Sequence, residues 1–217
     1  MNGAAAVIFD MDGVIVDSEP RHEQAFLEVV RAIGYGDTHG LRFADYVGRS
    51  DQELWRDFVL KHKPAQTLDE LLALKRDRVI EILRRDQPVF AGLPELLEQL
   101  APRFRLALAS GSERAIVEEV LSLKGLRRFF SATVTASDVR NGKPAPEIFL
   151  RAAERVGASP KDCWVIEDSK PGIAAGLAAG MRVVAITNTH GPDELAHAHH
   201  VVASYREIAG LLLSQPA

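Results

Sequence analysis

Six short, largely apolar runs constrain this chain more than any other feature: Ala6-Val7-Ile8-Phe9, Leu106-Ala107-Leu108-Ala109, Ala132-Thr133-Val134, Cys163-Trp164-Val165-Ile166, Val183-Val184-Ala185-Ile186 and Val201-Val202-Ala203. Each is too short for a helix and lacks the alternation of a half-exposed strand, so each reads as a strand buried on both faces. Strands of that kind belong to parallel sheets covered by helices. The segments between them predict crossover helices at Glu113 to Lys124, Pro146 to Val156 and Pro171 to Ala179, the last opening on a proline and stopping before Gly180. The pattern predicts a doubly wound α/β core with a parallel, Rossmann-like sheet.

The long gap between the first and second runs breaks this rhythm. It holds no convincing strand, only helical stretches at Pro20 to Ile33, Asp51 to His62 and Leu68 to Arg85. Residues 18–88 are therefore read as an inserted helical domain, with 1–17 and 89–217 forming the core, and hinges at Asp17-Ser18-Glu19-Pro20 and Gln87-Pro88-Val89.

Composition removes several function classes. The 217 residues are 47% hydrophobic, enough for a sizeable core, yet no apolar run approaches the roughly 18 residues of a bilayer span. A net charge of −4, from 26 Lys+Arg against 30 Asp+Glu with no basic stripe, argues against nucleic acid as a partner. Cys163 stands alone and has no internal disulfide partner, and the first residues do not read as a secretory signal. The expectation is a cytoplasmic monomer acting on a small ligand, with neither membrane nor nucleic-acid partner.

Open parallel sheets bind ligands beyond the carboxyl ends of their strands. Asp10-Met11-Asp12-Gly13-Val14 follows the first run, Ser110-Gly111-Ser112 the second and Glu167-Asp168-Ser169 the fourth. An isolated Asp-x-Asp is often a turn or helix cap, and Ser110 read alone is an N-cap. Carboxylates converging from two strand ends repel one another unless a cation or a shared proton neutralises them. Hard oxygen ligands point to Mg²⁺, completed by a substrate phosphate.

Asp10-Met11-Asp12-Gly13-Val14-Ile15-Val16-Asp17-Ser18-Glu19 resembles the first motif of the haloacid dehalogenase superfamily, in the branch with a helical cap after the first strand. Ser110 matches the second motif, Lys143-Pro144 the third and Glu167-Asp168 the fourth, so the resemblance covers nearly the whole chain. It is nearest to the β-phosphoglucomutase and phosphoglycolate-phosphatase-like group. The resemblance implies that Asp10 is a nucleophile forming an aspartyl phosphate and that Asp12 is the general acid and base. It also implies that Ser110, Gly111 and Lys143 bind the phosphoryl group, and that Asp10, Asp12 (by its carbonyl), Glu167 and Asp168 hold Mg²⁺. By position in the insertion, His22, Arg49 and Lys75 resemble substrate-contacting cap residues, although lysines on polar helix faces are ordinarily solvated.

The expected function is a Mg²⁺-dependent phosphatase for a small phosphorylated metabolite, a sugar or short-acid phosphate. The alternative is a sugar phosphomutase of the β-phosphoglucomutase type, and a binding protein on an inactivated scaffold is a third reading. His197, His199 and His200 lie away from the carboxylates and are read as ordinary loop histidines; Cys163 is read as a small core residue.

Overall fold

The computed structural model describes residues 6–46 and 51–214. The chain separates into two compact units, Met1–Asp17 with Pro88–Ala217, and Ser18–Gln87. Pro88 goes with the first unit, one residue earlier than the expected boundary, because its carbonyl accepts the Asp17 amide at 3.0 Å.

The first unit is built on six strands, β1 (Ala6–Phe9), β2 (Arg105–Ala109), β3 (Phe130–Val134), β4 (Cys163–Glu167), β5 (Arg182–Ile186) and β6 (His200–Val202), in the spatial order β3-β2-β1-β4-β5-β6. Every pairing is parallel. The expected doubly wound sheet is therefore present. β1 lies at the centre, where all four of its residues are fully buried, and Phe9 is in register with Leu108 of β2 and Ile166 of β4. That register brings the residues just after β1, β2 and β4 to one edge of the sheet. The strand order reverses between β1 and β4, which is where a ligand crevice forms in such sheets.

Helices α5 (Arg114–Ser122), α6 (Glu147–Arg155) and α7 (Lys170–Ala178) fill the expected crossovers. α5 starts one residue later than expected and stops at Ser122, because Lys124 and Gly125 take positive φ and the chain continues as a 3₁₀ turn, Leu123–Phe129. α7 is capped by Ser169, whose side chain accepts the Gly172 amide, and ends before Gly180 at φ +73°. Two core helices, α4 (Leu93–Leu100) and α8 (Tyr205–Leu213), were not foreseen. α4 lies between the first two runs, just past the insertion in the part read as core, and it buries Leu93, Leu96, Leu97 and Leu100 along one stripe and packs with α8. Among the described residues no helix is long and apolar enough to cross a membrane.

The second unit contains α1 (Glu19–Ala32), α2 (Asp51–His62) and α3 (Leu68–Asp86), within a residue of the expected helices. Thr67 and Glu70 form a capping box that starts α3. Phe26, Trp55 and Phe58 centre its core, with ring centroids 5.2 Å (Phe26–Trp55) and 5.4 Å (Trp55–Phe58) apart.

Helix α7 lies so close on the sheet that a Cβ at Gly176 would come within 2.8 Å of Val183 Cγ2. Helix propensity favours alanine there by about 0.5–1 kcal/mol, but overpacking against a branched side chain costs about 1–3 kcal/mol. Gly176→Ala should therefore lower Tm by roughly 2–6 °C. Calorimetry checks this, and an unchanged or raised Tm would show that α7 lifts off the sheet without cost.

Candidate active site

Every core residue singled out from the sequence lies at the carboxyl edge of the sheet. The amide of Asp10 donates to Ile166 O at 3.0 Å and that of Ser110 to Val134 O at 3.0 Å, so both are held to neighbouring strands at the point where their side chains leave the sheet. Asp10, Glu167 and Asp168 are buried, and each offers a carboxylate oxygen within 4.8 Å of the others. Lys143 enters from the loop before α6 and donates to Asp10 Oδ1 at 2.5 Å and Glu167 Oε1 at 2.6 Å.

The other oxygen of Glu167, Oε2, accepts the amides of Asp168 and Ser169 and the Ser169 hydroxyl at 2.9–3.1 Å. Ser169 thus orients the Glu167 carboxylate and caps α7 with the same side chain. Thr189 Oγ1 donates to Asp168 Oδ2. Asp12 Oδ2 accepts the Ser112 hydroxyl at 2.8 Å and the Ser110 hydroxyl at 3.3 Å. The Ser112 amide donates to Ser110 Oγ at 3.0 Å. Gly111 is exposed, with open space where a side chain would stand.

Two glycines make room for two of these carboxylates. A Cβ on Gly13, at φ +77°, would lie 1.8 Å from Asp168 Oδ2, and one on Gly172 would lie 1.8 Å from Glu167 Oε1. A side chain at either place would have to displace the carboxylate beside it.

The electrostatics follow from burial. Desolvation pushes the Asp10 carboxyl well above its ordinary value; Lys143 opposes the rise, and Glu167, Asp12 and Asp168 add to it. Asp168 is pushed up to about 7, first by burial and then by Glu167. Burial alone would lower Lys143, but Asp10 and Glu167 outweigh it and raise the ammonium above its usual range. With one lysine against three acids, the cluster is short of positive charge by about the two units of a divalent ion. All the donors are hard oxygens, and the site fits Mg²⁺ by charge and by donor type.

In the second unit, His22 Nδ1 lies 3.2 Å from Lys75 Nζ, which also contacts Asp51 Oδ1. Lys75 is 1% exposed, so it is not a solvated lysine on a polar face. An ammonium stays in such a place only with anionic and hydrogen-bonding neighbours such as these. Arg49 lies outside the described residues. Of the histidines near β6, His199 accepts the Val183 amide at 3.0 Å and His200 lies against Trp164, and no metal-binding group among the described residues includes either. Cys163 is buried, its thiol pushed up to about 11 by burial, consistent with an inert core residue.

Ser112 as a side chain, Ser169 as an orienting group and Thr189 were not assigned roles from the sequence. Thr189 follows β5, and the strand-end rule that found Ser110 would have found it had it been applied there.

A family model described as haloacid dehalogenase-like hydrolase matches residues 4–180, and the chain belongs to that family. It is 35% identical over 184 residues to a fructose-1-phosphate phosphatase of Escherichia coli, covering 83% of this chain and 95% of that one. It is 32% identical over 179 residues to a phosphorylated carbohydrates phosphatase of Thermotoga maritima, covering 81% and 82% respectively. Its fold is similar to a solved β-phosphoglucomutase of Clostridium difficile, with TM-score 0.76 and 25% identity over 98% of this chain and 100% of that one.

The raised carboxyl pKa values have a definite sign. An Asp168 pushed up to about 7 binds a proton in the folded state that the unfolded chain, near 3.9, has released. Metal-free protein should therefore lose stability as pH rises from about 4 to 7 and level off above that. Lys143 titrates far above this window and does not reverse the trend. Mg²⁺ held by these carboxylates would compete with that proton, so the Tm gap between Mg²⁺-loaded and EDTA-treated protein should widen from pH 5 to pH 8. Thermal melts at both pH values check this, and a constant or shrinking gap would contradict it.

Proposed function

We propose that this chain is a Mg²⁺-dependent phosphatase for a small phosphorylated metabolite, a sugar or short-acid phosphate, working through an aspartyl phosphate on Asp10. The observation that carries the reading is the convergence of Asp10, Asp12, Ser110, Lys143, Glu167 and Asp168 at one sheet edge. The phosphatase names of the relatives at 35% and 32% identity support hydrolysis of phosphorylated sugars.

Asp10 and Asp168, with Glu167 behind them and the Asp12 carbonyl, would hold the metal. When bound, Mg²⁺ supplies the positive charge that lets an anionic nucleophile meet an anionic phosphoryl group. The Asp10 carboxylate attacks phosphorus, and the ester P–O bond breaks as Asp12 gives its proton to the departing oxygen. Asp12 then takes a proton from water, which attacks the aspartyl phosphate and frees inorganic phosphate and the Asp10 carboxylate. The hydroxyls of Ser110 and Ser112 suit both halves, because a hydroxyl donates to a carboxylate and, after rotation, accepts from the acid. Lys143 and the Gly111 amide stabilise the phosphoryl oxygens. The inserted unit, a cap in this reading, sets substrate choice through His22, Lys75 and Arg49.

The fold likeness to a β-phosphoglucomutase keeps a phosphomutase as the second reading. The enzyme given β-glucose 1-phosphate, a trace of glucose 1,6-bisphosphate and Mg²⁺ should release phosphate without forming glucose 6-phosphate. Rapid isomerisation with little phosphate release would select the mutase instead.

Asp10→Asn keeps the shape of the side chain but removes the nucleophile. It should lower phosphate release from a panel of sugar and short-acid phosphates at least about a hundredfold, with Tm held or raised. Retention of more than a few per cent of activity would remove Asp10 from that role.

A further inference from the structure

The turn that carries Asp12 is anchored from a side that the proposed chemistry does not use. After β1 the turn closes on itself: Gly13 N donates to Val16 O at 2.9 Å, and Ile15 N and Val16 N donate to Met11 O at 2.7 and 3.1 Å. The carbonyls of Gly13 and Val14 are taken by side chains from the far end of the chain. Asn188 Nδ2 donates to Gly13 O at 2.8 Å and to the Tyr205 hydroxyl at 2.9 Å, and that hydroxyl donates to Val14 O at 2.7 Å.

Donor counting shows how specific this is. A primary amide has two N–H hydrogens and a phenol has one, and the three bonds use all of them. An aspartate at 188, with the same shape, would have none to give. Tyr205 is the first residue of α8 and is buried. Its ring lies 6.4 Å from that of Phe90 and would be 3.6 Å from a Cβ on Gly92. Burial raises the phenol pKa, so the hydroxyl stays a donor through the neutral range.

We propose that Asn188 and Tyr205 are positioning residues that together fix the Asp12 turn relative to Asp10 and Asp168. The proposal rests on the phosphatase reading above. Gly13 packs its backbone directly on Asp168, and the two clamped carbonyls follow Asp12 by one and two residues, so at most two φ/ψ pairs separate them from it. A slip of the turn moves the proton donor away from the leaving oxygen, and misplacements near 1 Å cost up to about a hundredfold in rate. The phosphoryl contacts assigned to Ser110, Gly111 and Lys143 come from other loops. Loss of the clamp therefore falls on kcat and spares KM.

The test uses Tyr205→Phe, which keeps the ring and its packing, Asn188→Ala, and the double variant, with Asp10→Asn and wild type in parallel. The readouts are kcat and KM for p-nitrophenyl phosphate with Mg²⁺, and amide hydrogen exchange across residues 11–16. Each single variant should lower kcat about ten- to a hundredfold with KM within about twofold. The double variant should be no worse than about the weaker single, because the two residues hold one turn. Exchange should quicken in the turn but not across the sheet. Unchanged kcat and exchange in folded Tyr205→Phe, or a loss confined to KM, would overturn the proposal. A wild type that hydrolyses nothing, or activity surviving in Asp10→Asn, overturns the phosphatase reading instead. The exchange rates then still decide the clamp, quickened rates supporting it and unchanged rates refuting it.

Discussion

Three buried carboxylates around one ammonium set the terms for the rest of this molecule. Water no longer solvates Asp10, Glu167 and Asp168, so each must find its counter-charges and donors in the protein or in a bound ion. The surroundings read as answers to that demand. Lys143 bridges two of the acids, Glu167 collects two amides and a hydroxyl, and Thr189 takes an oxygen of Asp168. The remaining shortage of positive charge is what the divalent ion of the proposed function would fill.

The parallel register is what allows so much charge to meet. Apart from Arg105 at the start of β2, the side chains of β1, β2 and β4 beneath the site are apolar and buried, and they lock the strands at matched heights. A slip of one residue between β1 and β4 would move Asp10 and Asp168 apart by about 3.3 Å along the strand and turn their side chains to opposite faces. The hydrophobic core therefore sets the distances between the polar groups at its edge.

Much of this was legible in the sequence, and the failures share a cause. Strands buried on both faces announce themselves as apolar runs, and the polar residues that end them mark the site, so β1 to β6 and the core acids were readable from the chain alone. α4 was missed because a helix of eight residues beginning Leu93-Pro94 offers little more than two turns of periodicity. α8 follows the last strand, where no further strand requires a crossover helix. α5 was drawn too long because Lys124 is a good helix former, and only the backbone shows it at positive φ beside Gly125. The polarity of Lys75 suggested solvent exposure, whereas Asp51 and His22, distant in sequence, give it a buried place. Asn188 and Tyr205 escaped notice for the same reason, since their partners are more than 170 residues away.

The strands of chain entering and leaving the inserted unit are tied to each other within the core. Val16 and Val89 form an antiparallel bridge, Asp17 N donates to Pro88 O and Phe90 N to Ile15 O at 3.0 and 3.1 Å. The sheet thus treats everything between Asp17 and Pro88 as the loop of a hairpin. The entropy of closing a loop grows only with the logarithm of its length, by about 0.6 kcal/mol per doubling, so the bridge is nearly indifferent to what it encloses. A chain built this way can exchange, enlarge or trim its insertion while the sheet folds as before, which, with the insertion acting as the proposed cap, would leave substrate choice free to diverge without remaking the chemistry.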